Sequence, residues 1–167
     1  MTVSSTGIRA IRIARTRSNG PDQIEWIKGA KQAVALLKAQ GYRVFAVTNQ
    51  SGIARGYFDM TDIEALHRWM NTQMQAHGGV IDDFRISPYH PDVENDRFTN
   101  LAHWRKPKPG MVLDLLAHWD IDLSRSFLIG DKSTDIAAAN AAGIPGHLFQ
   151  GGNLLDFVKK MLPSAAD

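Results

Sequence analysis

Three short stretches carry residue types that together could handle phosphate. Residues 48–56 (TNQSGIARG) combine two hydroxyls, two side-chain amides and two glycines. Backbone N–H groups left free in such a turn can cradle phosphate oxygens, although an ordinary polar turn has the same composition. Residues 105–110 (RKPKPG) set three cations on a loop stiffened by two prolines. Arginine grips a phosphate bidentately and lysine supplies a compact charge; a solvated basic loop would read the same way. Residues 130–135 (GDKSTD) place one carboxylate four residues before another. That pair suits a hard cation completed by water and a phosphate, while Asp135 alone is also explained as an acid in a first helical turn.

These stretches need elements to bring them together, and the hydrophobic pattern supplies them. Residues 28–40 put Ala30, Ala33, Val34 and Leu37 on one helical face and end at Gly41. Residues 43–48 (RVFAVT) read as a buried strand. After a glycine-containing loop, Thr61 and Glu64 have the spacing of a capping box, and Ile63, Leu66, Met70 and Met74 continue a helix to Gly78. A strand over 83–87 is followed by a long polar loop. Pro109 then opens a helix facing inward through Val112, Leu113, Leu116 and Trp119. Strand 126–130, helix 135–142, strand 147–149 and helix 154–161 complete the chain. The alternation predicts an α/β fold: a three-layer, doubly wound parallel sheet of Rossmann type with no separate cap domain. Ligands of such sheets bind beyond the carboxyl ends of the strands, where Thr48 and Asp131 both fall.

The 167 residues form enough chain for one domain with a sizeable core, and 44% hydrophobic with 22% charged residues is a globular composition. Cysteine is absent, which excludes disulfides, thiolate metal sites and a cysteine nucleophile. The net charge of +2 is unevenly placed: residues 1–21 hold four arginines and no acid, so the remainder is −2. A body without a basic stripe predicts no nucleic-acid or membrane partner, and the arginine segment lacks aromatic residues on which bases would stack. Residues 1–20 are set apart as an atypical segment, with 21–167 as the domain. A basic arm, a transit peptide and an exposed edge strand over 8–14 are three readings of it.

The order TNQSGIARG, RKPKPG and GDKSTD, each at its place after an apolar strand or loop, resembles the haloacid dehalogenase superfamily of phosphatases. Within it the likeness, over residues 21–149, is to the D-glycero-D-manno-heptose 1,7-bisphosphate phosphatases, near the histidinol-phosphate phosphatases. The resemblance implies a cytoplasmic, monomeric, Mg²⁺-dependent phosphomonoesterase acting on a small sugar phosphate in lipopolysaccharide or surface-glycan synthesis. By the same resemblance, Thr48 and Lys106 hold the phosphoryl group. Asn49, Gln50, Ser51, Arg105 and Lys132 contact or approach substrate, and Asp131 binds Mg²⁺ with Asp135 in support.

Two departures from the family pattern set further expectations. The family's Asp-x-Asp-Gly motif supplies a nucleophile and a general acid, yet the only carboxylates before Trp26 are Asp22 and Glu25. Ungapped counting from Gly29 puts Thr6 and Ile8 at the two aspartate positions; matching the apolar run instead puts Ala14 and Thr16 there. The chain is therefore expected to bind phosphate weakly and hydrolyse it very slowly, with a weak Mg²⁺ site. A non-catalytic sugar-phosphate-binding or regulatory role is the alternative, and an altered reading frame ahead of residue 21 would produce the same boundary. Secondly, the zinc ligands of many relatives are replaced by Ser87, Tyr89, Ala102 and Trp104, so no zinc is expected, and packing of Tyr89, Phe98 and Trp104 is expected to hold that loop.

Overall fold

The computed structural model describes residues 8–11, 14–16, 24–94 and 96–163, the first two stretches as backbone. Thr6, Asp22 and the readings of a basic arm or transit peptide lie outside the described residues.

Five parallel strands form the central sheet: β1 (Ile8–Ile11), β4 (Arg43–Asn49), β5 (Asp83–Ser87), β6 (Phe127–Gly130) and β7 (Gly146–Leu148). Their order is β5-β4-β1-β6-β7, so the winding reverses at β1. β2 (Ala14–Thr16) and β3 (Ile24–Trp26) make a separate antiparallel ribbon. The reversal opens a crevice beyond the carboxyl ends of β4, β1 and β6.

Side-chain alternation along the strands builds the two cores. Val44, Phe127 and Ile129 face one side, where they pack with Ala33, Val34 and Leu37 of helix α1 (Ala30–Ala39), Leu66, Met70 and Met74 of α3 (Met60–Gln75), and Leu154 and Val158 of α6 (Leu154–Met161). Phe45 and Leu128 face the other side, against Val112 and Leu115 of α4 (Gly110–His118) and Ala139 of α5 (Ser133–Ala141). Period-two strands and period-3.6 helices thus meet in three layers, as the alternation predicts. Two excursions leave these layers: the β2–β3 ribbon and the segment 88–109.

Several local expectations are corrected. An edge strand over 8–14 is replaced by a central one, since β1 pairs with β4 on one side and β6 on the other. The α3 capping box uses Asp59 and Asp62, each carboxylate accepting the other's backbone N–H at 2.9 Å, so the helix starts before Thr61 could cap it. Leu113 is 46% exposed, whereas Val112, Leu116 and Trp119 do pack on the core, joined by the buried Met111 and Leu115. The loop after β4 contains a short helix, α2 (Ser51–Ala54).

Candidate functional site

The crevice is organised by a lysine gripped from strand β4 and helix α5. Lys106 Nζ donates to the carbonyl of Val47 at 3.1 Å and pairs with Asp135 Oδ1 at 2.6 Å. Their side chains are only 10% and 5% exposed, so the pair is largely desolvated and its geometry firmly held. The other oxygen of Asp135 accepts the backbone N–H groups of Asp131 and Lys132, each at 3.1 Å. Gly130 makes this possible: a side chain there would collide with the Asp135 side chain. With three donors on it, Asp135 organises Lys106 and the 130–132 backbone.

Asn49 bonds to the main chain of Lys106. Its Oδ1 accepts the Lys106 N–H at 3.1 Å and its Nδ2 donates to the Lys106 carbonyl at 3.2 Å, as one peptide unit would to another. The end of β4 and the RKPKPG loop are thereby joined. Gln50 donates through Nε2 to Thr48 Oγ1 at 3.2 Å and through its backbone N–H to the Ser87 carbonyl at 2.8 Å. Ser51 is the first residue of α2. Asn49, Lys106, Asp135 and the 131–132 backbone therefore share one network, the Thr48–Gln50 pair stands next to it along β4, and the Lys132 side chain is exposed beside it.

Arg105 donates from Nη1 to the Tyr89 carbonyl at 3.1 Å. Burial, and after it the nearby positive charge of Arg55, pulls its pKa below the usual guanidinium value. It stays charged at neutral pH, and two neighbouring guanidiniums favour an anion between them. Arg55 belongs to the TNQSGIARG stretch but was assigned no role from sequence; its spacing gives no sign that it meets Arg105.

Asp131 lines a cavity of about 310 Å³ shared with Glu25, Trp26, Lys28, Phe149 and Gly151. Among the described residues no three His, Asp or Glu side chains gather around a metal position, so a cation there would rest on the Asp131 carboxylate with water and phosphate oxygens, a shell that a hard divalent cation accepts. Zinc is different. Ser87, Tyr89, Ala102 and Trp104 offer neither thiolate nor imidazole, and Ser87 Oγ is buried without a hydrogen-bond partner among the described residues. Ile8 lies at the start of β1, level with Arg43, whereas Ala14 and Thr16 lie in the ribbon opposite Trp26 and Ile24.

A HAD-hydrolase-like family model matches residues 103–156. The D-glycero-beta-D-manno-heptose-1,7-bisphosphate 7-phosphatase of Rhodopseudomonas palustris is 46% identical over 141 residues, covering 84% of this chain and 78% of that protein. The protein of the same name from Photorhabdus laumondii is 41% identical over 123 residues, covering 74% of this chain and 65% of that protein. The D,D-heptose 1,7-bisphosphate phosphatase of B. bronchiseptica, solved with magnesium and phosphate, superposes with a TM-score of 0.75 at 31% identity over 95% of this chain and 88% of that one. A five-stranded parallel sheet, a buried lysine–aspartate pair at its reversal point and these relatives agree: the chain belongs to the haloacid dehalogenase superfamily, in the branch of the heptose-1,7-bisphosphate 7-phosphatases.

Proposed function

We propose that the crevice binds the phosphate group of a small sugar phosphate, a heptose 1,7-bisphosphate by analogy with the relatives, and that its hydrolysis is severely impaired. The observation that carries the reading is Lys106, fixed by Val47 and Asp135 beside Thr48 at the point where the sheet reverses. Its ammonium stabilises phosphate negative charge, the Thr48 hydroxyl binds a phosphate oxygen, and Arg105 supplies a second cationic grip. Asp131 would hold Mg²⁺, whose charge would neutralise the phosphate when bound.

The sequence supports the reading of impairment. No carboxylate precedes Asp22, so the stretch containing β1 brings no aspartate to attack phosphorus or protonate the leaving oxygen. Loss of a nucleophile costs on the order of 10⁶ in turnover in other covalent enzymes. This deficit also supports the second reading, a non-catalytic sugar-phosphate-binding or regulatory protein.

Isothermal titration with inorganic phosphate and heptose 1,7-bisphosphate, with and without Mg²⁺, tests the site. Binding to wild type that is lost in both Lys106→Ala and Thr48→Ala is expected; no binding to wild type overturns the phosphate site. A phosphate-release assay tests the second half, and turnover equal to that of the Rhodopseudomonas palustris relative would overturn the impairment.

A further inference from the structure

The segment 88–109 carries Arg105, yet it has few regular backbone hydrogen bonds, and its His90 and His103 have no cysteine beside them to complete a thiolate zinc site. Something else must fix its shape. Asp96 is 9% exposed, among the few buried polar residues of the described chain. Its Oδ2 accepts the His90 N–H at 2.9 Å, and its Oδ1 accepts the Phe98 N–H at 2.8 Å. Its backbone carbonyl accepts both the N–H of Thr99 at 3.1 Å and the Thr99 hydroxyl at 2.6 Å. One residue thus ties the exit of β5 to the start of a 3₁₀ helix, Thr99–Trp104.

Both tied ends lead to Arg105. The 3₁₀ helix delivers its backbone, because Arg105 directly follows Trp104 and donates its N–H to Ala102. The other end delivers the resting place of its guanidinium, the Tyr89 carbonyl, one residue before His90. A charged carboxylate accepting backbone N–H groups in a buried setting makes bonds roughly twice as strong as neutral ones. Phe98 adds an apolar anchor against Ile53, Ile63 and Ile86.

We infer that Asp96 is a positioning residue: its carboxylate closes the 88–105 loop without a metal and so sets where Arg105 presents its charge to a phosphate-bearing ligand. The ligand part rests on the phosphate-site reading; the closure of the loop does not.

Two measurements on the full chain separate these parts. In hydrogen exchange, Asp96→Ala is expected to raise amide exchange across residues 88–105 by about tenfold while the α3 amides keep their protection, with Asp96→Asn intermediate. Added Zn²⁺ or EDTA is expected to change nothing in wild type. Unchanged exchange in Asp96→Ala, or protection of the loop by Zn²⁺, overturns the clamp.

In titration with inorganic phosphate, Asp96→Ala and Arg105→Ala are each expected to weaken binding by about tenfold, and the double variant no more than Arg105→Ala alone. A loop aspartate with a merely structural role would give multiplied losses, and that result overturns the positioning role. If wild type binds no phosphate, the site reading fails, and the exchange experiment still decides the clamp.

Discussion

At the scale of single residues, buried charge is concentrated at Lys106 and Asp135. A pair of this kind contributes little net stability but is costly to break, because the survivor is left charged and desolvated. Lys106→Met should therefore lower stability by about 3–5 kcal/mol in urea unfolding, while Lys106→Met with Asp135→Asn should regain most of that loss. Both variants should fail to bind phosphate. Full recovery of stability with binding retained would show that Lys106 does not meet the ligand. The residue types at these positions were legible from sequence, but their division of labour was not. Asn49 also matches the donor and acceptor of the Lys106 peptide; two residues far apart in sequence reveal such a match only once folded. Asp96 carried a readable local signal, an aspartate accepting the N–H two residues on, which is the habit of Asx turns.

At the scale of elements, the entry to α1 shows how tightly the layers are registered. Gly29 has φ 78°, and a side chain there would collide with Asn153, whose Oδ1 caps α6 by accepting the Leu155 N–H at 2.9 Å. The Lys28 carbonyl beside it accepts the Leu154 N–H at 2.8 Å. Gly29→Ala should therefore lower stability by about 1–3 kcal/mol in thermal or urea unfolding, through both the left-handed backbone and the displaced cap. A neutral result would mean that the α1–α6 contact adapts freely. Elements with a sustained period were the legible ones: α1, α3, β4 and β6 lie where their apolar residues recur. The less legible elements lack such a run. β1, one of three readings for its stretch and then only as an edge strand, has an arginine within four residues, Ile8–Ile11, and α2 is a single turn, Ser51–Ala54. Pairing with neighbours on both sides, and not propensity, makes β1 a strand.

At the scale of the whole molecule, stability should depend on pH through His67. Its ring stacks on Phe84 at 3.8 Å, and burial lowers its pKa to about 4 from 6.5. The unfolded chain then binds a proton that the folded chain refuses, so stability is complete above 6.5 and is lost as pH falls toward 4, by up to about 3 kcal/mol. Asp83 acts in the same direction at lower pH: burial raises its pKa, but the hydrogen bonds from Trp119 and Arg85 outweigh this and leave it depressed. His67→Phe should flatten Tm between pH 6.5 and 4.5 relative to wild type; identical slopes would show that another group controls that window.

The position of β1 has a further consequence, for synthesis of the chain. Arg9 is level with Val44 on one side and with Phe127 on the other. The strand at the middle of the finished sheet therefore precedes both of its partners in the chain and must wait for the second. At about 5–20 residues per second, the interval between its two partners leaving the ribosome is roughly 4–17 s. Throughout that interval one edge of the growing sheet stays open to other nascent chains, so chaperone supply and translation speed over residues 44–127 should govern how much protein is recovered in native form.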